Sequence, residues 1–288
     1  MPPLTPIVKN LLIANVAVFA ILALMPLLGL GYQAAELGDF LALHYPTSDR
    51  FHPVQIVSHF FMHGGLMHIG FNMFGLVMFG PLLESRYGPG RFLFLYLASA
   101  MGAVALHFGY TYWDIQQSEL ALIAFQETPS LATFNEFFDG VRIDGLVMDN
   151  GQRLVTVIDN LRNDLALNRV EEAQLQGAAI MQEYVDFQGS TPMVGASGAL
   201  YGIVAAFAIL YPDFKLMLIF LPIPIKARYF VPILLAIDLF LGIMDYGWDN
   251  IAHFAHLGGA IVGGSLAFYW YKTDPPAGAQ RWDQGVPR

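Results

Sequence analysis

Gly195-Ala196-Ser197-Gly198 sets one serine between glycines, where a long polar region ends and an apolar run begins. Serine becomes a nucleophile only with a base in hydrogen-bond reach, and acyl transfer also needs donors for the developing oxyanion. The chain carries both kinds of residue inside apolar stretches. Histidines stand at the head of the last apolar run, in Ala252-His253-Phe254-Ala255-His256-Leu257-Gly258-Gly259, and supply a base. His68 and Asn72 lie four apart in His68-Ile69-Gly70-Phe71-Asn72. A helix presents both on one face, as side-chain donors to an oxyanion. The backbone N–H of Ser197, near a helix N-terminus, is a further donor. Taken singly these residues have plain readings: the Gly-Ala-Ser-Gly turn as a packing seam, His63 and His253 as structural or interfacial. A polar cluster spread over three apolar segments is harder to explain as packing, because ionisable side chains are costly inside a membrane.

The segments that must position these residues have telling lengths. Ser197 to Tyr211 is 15 residues, a helix of about 22 Å at roughly 1.5 Å per residue. A hydrocarbon core of about 30 Å needs about 20 residues. The short helix therefore leaves one end below the membrane surface; if that is the N-terminal end, Ser197 is held in a water-filled recess, since irregular backbone at that depth must line a cavity or be buried in protein. Gly198 and Gly202 strip one face of this helix of side chains, and Gly259 and Gly263 do the same for the last one. Two such faces can meet closely.

Composition fits this setting. The 288 residues are 56% hydrophobic and 13% charged, with mean hydropathy +0.50, against about 25% charged in soluble domains. The chain is read as an all-α polytopic membrane protein. It has no cysteine, which excludes disulfides, thiolate metal ligands and a cysteine nucleophile. Between Trp113 and Thr191 stand 13 acidic residues and four arginines, which accounts for the whole net charge of −9. Nothing resembles a basic nucleic-acid surface.

Apolar runs predict spans at Ile7–Leu28, Leu66–Leu83, Arg91–Tyr112, the short Ser197–Tyr211, Phe230–Met244 with Asp238 inside it, and Ile251–Tyr271. Gly29 to Phe61 reads as an interfacial loop, as does Pro212 to Tyr229. Residues 113–191 form an acidic extramembrane insertion within a single membrane domain, 1–288. Helical spacing at Leu154, Val157, Ile158, Leu161 and Leu165 gives it one or two amphipathic helices, with Gly140, Gly145 and Gly151 breaking its earlier part. Six spans put both termini on one side, which then carries nine of the 14 bases. The positive-inside rule makes that side cytoplasmic, in a cell (inner) membrane, with the insertion and the mouth of the recess outside.

These residues resemble the rhomboid intramembrane serine proteases. The resemblance rests on Gly195-Ala196-Ser197-Gly198 opening a short fourth helix, His68-Ile69-Gly70-Phe71-Asn72 in the second, and Ala255-His256-Leu257-Gly258 near the start of the sixth. The Glu84-to-Gly88 turn is similar too. It covers about Ile7 to Tyr271 outside the insertion. It implies a six-helix rhomboid-like bundle and a Ser–His dyad with no third acid, Ser197 as nucleophile and His256 as general base, then acid. It also implies His68 and Asn72 at the oxyanion, and membrane-protein substrates with a transmembrane segment. His253 imitates part of the motif, but His256 has glycines at +2, +3 and +7, at positions 258, 259 and 263. The long insertion departs from the family's usual form, and the expected partners are those substrates and the lipid bilayer.

Two other functions compete. A pseudoprotease that binds or escorts membrane proteins without cleaving them would be expected to have lost serine or histidine, and both are present. A metal-dependent protease or transporter could use His63, His68, His253 and His256, but no HExxH occurs. The expectation is no metal and no cofactor.

Overall fold

The computed structural model describes residues 3–139, 141, 147, 151–217, 223–244 and 251–274. The expected breaks at Gly140 and Gly145 and part of the expected loop from 212 to 229 lie outside them. The described residues are mostly helical: α1 (Pro6–Leu24), α2 (Gly31–Leu41), α3 (Gln55–Ser58), α4 (Leu66–Tyr87), α5 (Pro89–Glu127), α6 (Leu131–Phe138), α7 (Leu154–Ala166), α8 (Val170–Gln188), α9 (Ser197–Leu210), α10 (Ala227–Met244) and α11 (His253–Thr273). A two-stranded antiparallel ribbon, Lys215–Leu216 against Ile225–Lys226, precedes α10. Among the described residues, four helices are long and apolar enough to cross a membrane: α1 with the turn after it, α4, α5 and α10. The chain is a multi-pass membrane protein. At 14 residues, α9 rises only about 21 Å.

One end of the bundle is tied by polar contacts. The Glu84 carboxylate, buried at the end of α4, accepts from Thr5 Oγ1 and from the backbone N–H groups of Ile7 (3.0 Å) and Val8 (2.9 Å). Those two N–H groups belong to the first turn of α1 and have no partner within the helix. Beside them Arg91 at the start of α5 pairs with Asp274 beyond α11, at 2.7 Å. The N-termini of α1 and α5 and the C-termini of α4 and α11 therefore share one side.

The centre of the bundle is α9, wedged between α5 and α11. A Cβ placed on Gly259 would strike the carbonyl oxygen of Gly198, and one on Gly263 the backbone of Gly202. On the other flank, Gly258 meets Gly102 of α5 and Gly202 meets Ser99. Backbone lies against backbone here, as small-residue faces permit.

Residues 29–61, expected as a loop, are partly helical. The physical reason is local: Tyr32 donates to Glu36 one turn on (2.6 Å), and a buried Gln55 stitches the remainder of the stretch. Its amide accepts from the His44 and His52 N–H groups and donates to the Phe40 and Arg50 carbonyls. The stretch 113–191 also differs in form. α5 runs unbroken through Trp113 to Glu127 and, at 39 residues, rises about 58 Å, nearly twice a bilayer core. Its far end packs with α6, α7 and α8 around Phe125, Phe134, Ile158 and Met181, all fully buried. Ser130 and Thr133 close a reciprocal capping box at the start of α6. The insertion is a helical subdomain with its own core.

The seam yields a prediction. Gly259→Ala forces overpacking of about 1–3 kcal/mol and lowers the thermal midpoint in detergent. Gly264→Ala, whose Cβ would meet only ordinary contacts at 3.6 and 3.7 Å, leaves it near that of the parent protein.

Candidate active site

The approach to Ser197 is fixed from both sides. Met193 pairs with Leu43 through two backbone hydrogen bonds of 2.8 and 2.9 Å, and Gly195 donates its N–H to the His59 carbonyl at 2.9 Å. His59 is itself held by its Nδ1–H on the Gln55 carbonyl (2.7 Å). Burial pushes its pKa down to about 4, so this buttress stays neutral. Gly195 has φ +117°, a region that favours glycine. A Cβ there would also lie 2.7 Å from His68 Nε2. The bend delivers Ser197 as the first residue of α9, where its N–H lacks a helical partner.

Ser197 Oγ lies 2.9 Å from His256 Nε2. The seam between α9 and α11 makes this approach possible, and Tyr201, one turn along α9, lies flat on the His256 ring at 4.1 Å and 8°. His68 accepts the Gly64 N–H at Nδ1 (3.3 Å), so its neutral ring carries the proton on Nε2, the atom beside Gly195. His63 meets it edge-on at 5.0 Å. Asn72, buried on the same face of α4, lines with His68, Ser197 and His256 a cavity of about 1330 Å³. The structure thus brings Ser197, His256, His68 and Asn72 around one space. His256 is the histidine in contact with the serine, and His253 meets Asp238.

Asp238, inside α10, approaches both histidines of α11. Its Oδ1 is 2.6 Å from His253 Nδ1, and its Oδ2 is 3.1 Å from His256 Nδ1. The dyad implied by resemblance thus has a carboxylate at its back. Among the described residues these three side chains are also the group whose ligand atoms, within 4.8 Å of one another, could hold a metal ion. Sequence reasoning finds Asp238 only as an acid in a span. Such a residue signals function by default, but its partners lie 15 and 18 positions away on another helix. Tyr201 had the signal of sharing a helix face with Ser197. The His59 carbonyl had none.

The cavity has a second border. Asp114 of α5 and Tyr184, Phe187 and Gln188 of α8 line it, and Gln188 donates to Asp114 at 2.8 Å. The base of the acidic stretch therefore borders the cavity.

A model of the Rhomboid domain matches residues 50–113 and 174–273, more than half of the chain. The chain belongs to the rhomboid family. The stretch that the family model skips, 114–173, lies within the helical subdomain. Similar proteins include Rhomboid protein 1, mitochondrial, of Saccharomyces cerevisiae, 23% identical over 267 residues, 91% of this chain and 53% of the relative. Presenilin-associated rhomboid-like protein, mitochondrial, of Homo sapiens is 33% identical over 103 residues, 33% of this chain and 25% of the relative. The rat protein of that name is 37% identical over 83 residues, 28% and 20% of the two chains. This rhomboid chain spans about half the length of the yeast relative and a quarter or less of the mammalian ones.

The positions of His68 and Asn72 carry a prediction. Loss of one oxyanion donor typically costs about 10²–10³ in rate. His68→Ala and Asn72→Ala each reduce kcat by that order on a transmembrane peptide substrate without abolishing turnover. Wild-type rates in both would remove them from the site.

Proposed function

We propose that this rhomboid protein is an intramembrane serine endopeptidase, cleaving peptide bonds in or near transmembrane segments of membrane proteins. The observation that carries the proposal is the 2.9 Å contact between Ser197 Oγ and His256 Nε2, at the floor of a cavity that also holds donors. Ser197 Oγ attacks the scissile carbonyl carbon as its proton passes to His256 Nε2. The oxyanion is met by the Ser197 N–H, His68 Nε2–H and the Asn72 amide. Collapse breaks the C–N bond, and the leaving amine takes the proton from His256. Water, deprotonated by the same nitrogen, then hydrolyses the ester on Ser197.

We further read the bundle as six spans, with α9 and α11 added to the four apolar crossings. The end tied by Glu84 and Arg91 is the positively charged, cytoplasmic side of a cell membrane. The site mouth and the subdomain open on the opposite side, toward which α5 projects. The subdomain acts as a cap. Its net acidity repels anionic headgroups and keeps it off the bilayer surface, and α8 borders the cavity.

Two tests address the dyad and the cap in turn. Ser197→Ala and His256→Ala each abolish cleavage of a fluorogenic transmembrane substrate in detergent while unfolding like the wild type. The double variant is no worse than either, because nucleophile and base act as a unit. Binding of substrate by the wild type with no cleavage would overturn the reading in favour of an escort. Second, the Asp114–Gln188 contact puts the ends of the subdomain side by side, so a short Gly/Ser linker can replace residues 115–187. The shortened protein should still react at Ser197 with a fluorophosphonate but cut a different set of substrates. An unchanged substrate profile would remove the cap.

A further inference from the structure

Asp238 is a carboxylate in the middle of an apolar helix, 5% exposed, and it is costly there unless hydrogen-bonded. The local sequence brings it to its partners. Gly242, one turn further along α10, faces α11 so closely that a Cβ on it would lie 2.9 Å from His253 Cβ. The two helices therefore meet at His253 with Asp238 on the same face of α10. His253 Nδ1 at 2.6 Å holds one carboxylate oxygen. The other lies 3.1 Å from His256 Nδ1, on the ring edge opposite Ser197.

We propose that Asp238 is the positioning residue of this site, completing an Asp238–His256–Ser197 relay in which His253 holds Asp238. A carboxylate can only accept hydrogen bonds, so a ring nitrogen bonded to it must carry the proton. Neutral His256 is then the Nδ1–H tautomer, and its Nε2 lone pair faces the Ser197 hydroxyl, which donates to it. When Nε2 takes the serine proton, the positive ring lies against a buried negative charge already in place. Tyr201, stacked on the ring, leaves little room for it to rotate. Asp238 takes up no proton in this scheme. The same three side chains would suit a divalent metal, but the hydrogen-bond distances on both sides of the carboxylate satisfy it without one.

The proposal rests on the serine-protease reading, and its test separates the two. In Asp238→Asn, an amide that accepts from His253 presents its NH₂ to His256 Nδ1 and selects the Nε2–H tautomer, which cannot accept the serine proton. Removing the acid in this way costs about 10⁴ in a serine protease triad. The expected result here is a kcat lower by 10²- to 10⁴-fold, an unchanged KM and a parental thermal midpoint, with Asp238→Glu recovering part of the loss. His253→Ala, which leaves the Asp238–His256 contact, falls less than Asp238→Asn. Should Asp238→Asn fail to fold, ¹⁵N histidine spectra of the Ser197→Ala protein decide. The Nδ1–H tautomer at His256 supports the relay, and the Nε2–H tautomer overturns it. Asp238→Asn with wild-type kcat while Ser197→Ala is inactive overturns the relay and leaves the protease reading standing. An inactive wild type, or an active Ser197→Ala, overturns that reading itself. Stoichiometric zinc in the purified protein, lost with Asp238→Asn, would make the three side chains a metal site and end the proposal.

Discussion

The helix that carries Ser197 and the helix that carries His256 touch backbone to backbone, and the site depends on how little space separates them. Where Gly198 meets Gly259, and Gly202 meets Gly263, backbone touches backbone with no side chain between. In lipid such contact is favoured by packing, since the surrounding tails are as apolar as the helices. It fixes the 2.9 Å approach of serine to histidine without any flexible loop between them. Around it, α5 closes the other flank through Gly102 and Ser99, and α10 comes close through Gly242. Small residues thus set the spacing of the bundle, while few polar side chains occupy its interior.

Three groups of those polar side chains are hydrogen-bonded across the bundle. Glu84 caps the first turn of α1, a role that orders the tied end of the bundle. Gln55 and the His59 carbonyl hold the strand that leads into Ser197. Asp238 and two histidines form the third group. Each removes the penalty of an unpaired polar group away from water, and each fixes an element on which Ser197 or His256 depends. On the proposed protease reading, the site is thereby preorganised, the condition under which electrostatic stabilisation is most effective.

How much of this could be read in the chain depended on whether the signal was local. Ser197 between glycines, His68 with Asn72, and His256 ahead of Gly258 and Gly259 are short patterns, each confined to one helix, and the structure brings them to one cavity. The glycine faces of α9 and α11 were legible from their four-residue spacing. Asp238 was visible as an acid in a span, but its contact with His256 depends on how α10 crosses α11, which no spacing encodes. Helix α2 was missed because its residues are mixed, and the Gln55 that holds its Phe40 carbonyl lies outside it. The acidic stretch was recognised by charge and by the period of α7. Its core was hidden because it is shared with the end of α5, a helix whose first half reads as a membrane span.

Reaction of the purified protein with a fluorophosphonate, followed by peptide mapping, tests whether Ser197 is an activated nucleophile. If Ser197 is activated by His256 in a preorganised site, one peptide carries the label, at Ser197, and His256→Ala abolishes labelling. Label spread over several serines, or none on Ser197 in a folded protein, would contradict the account.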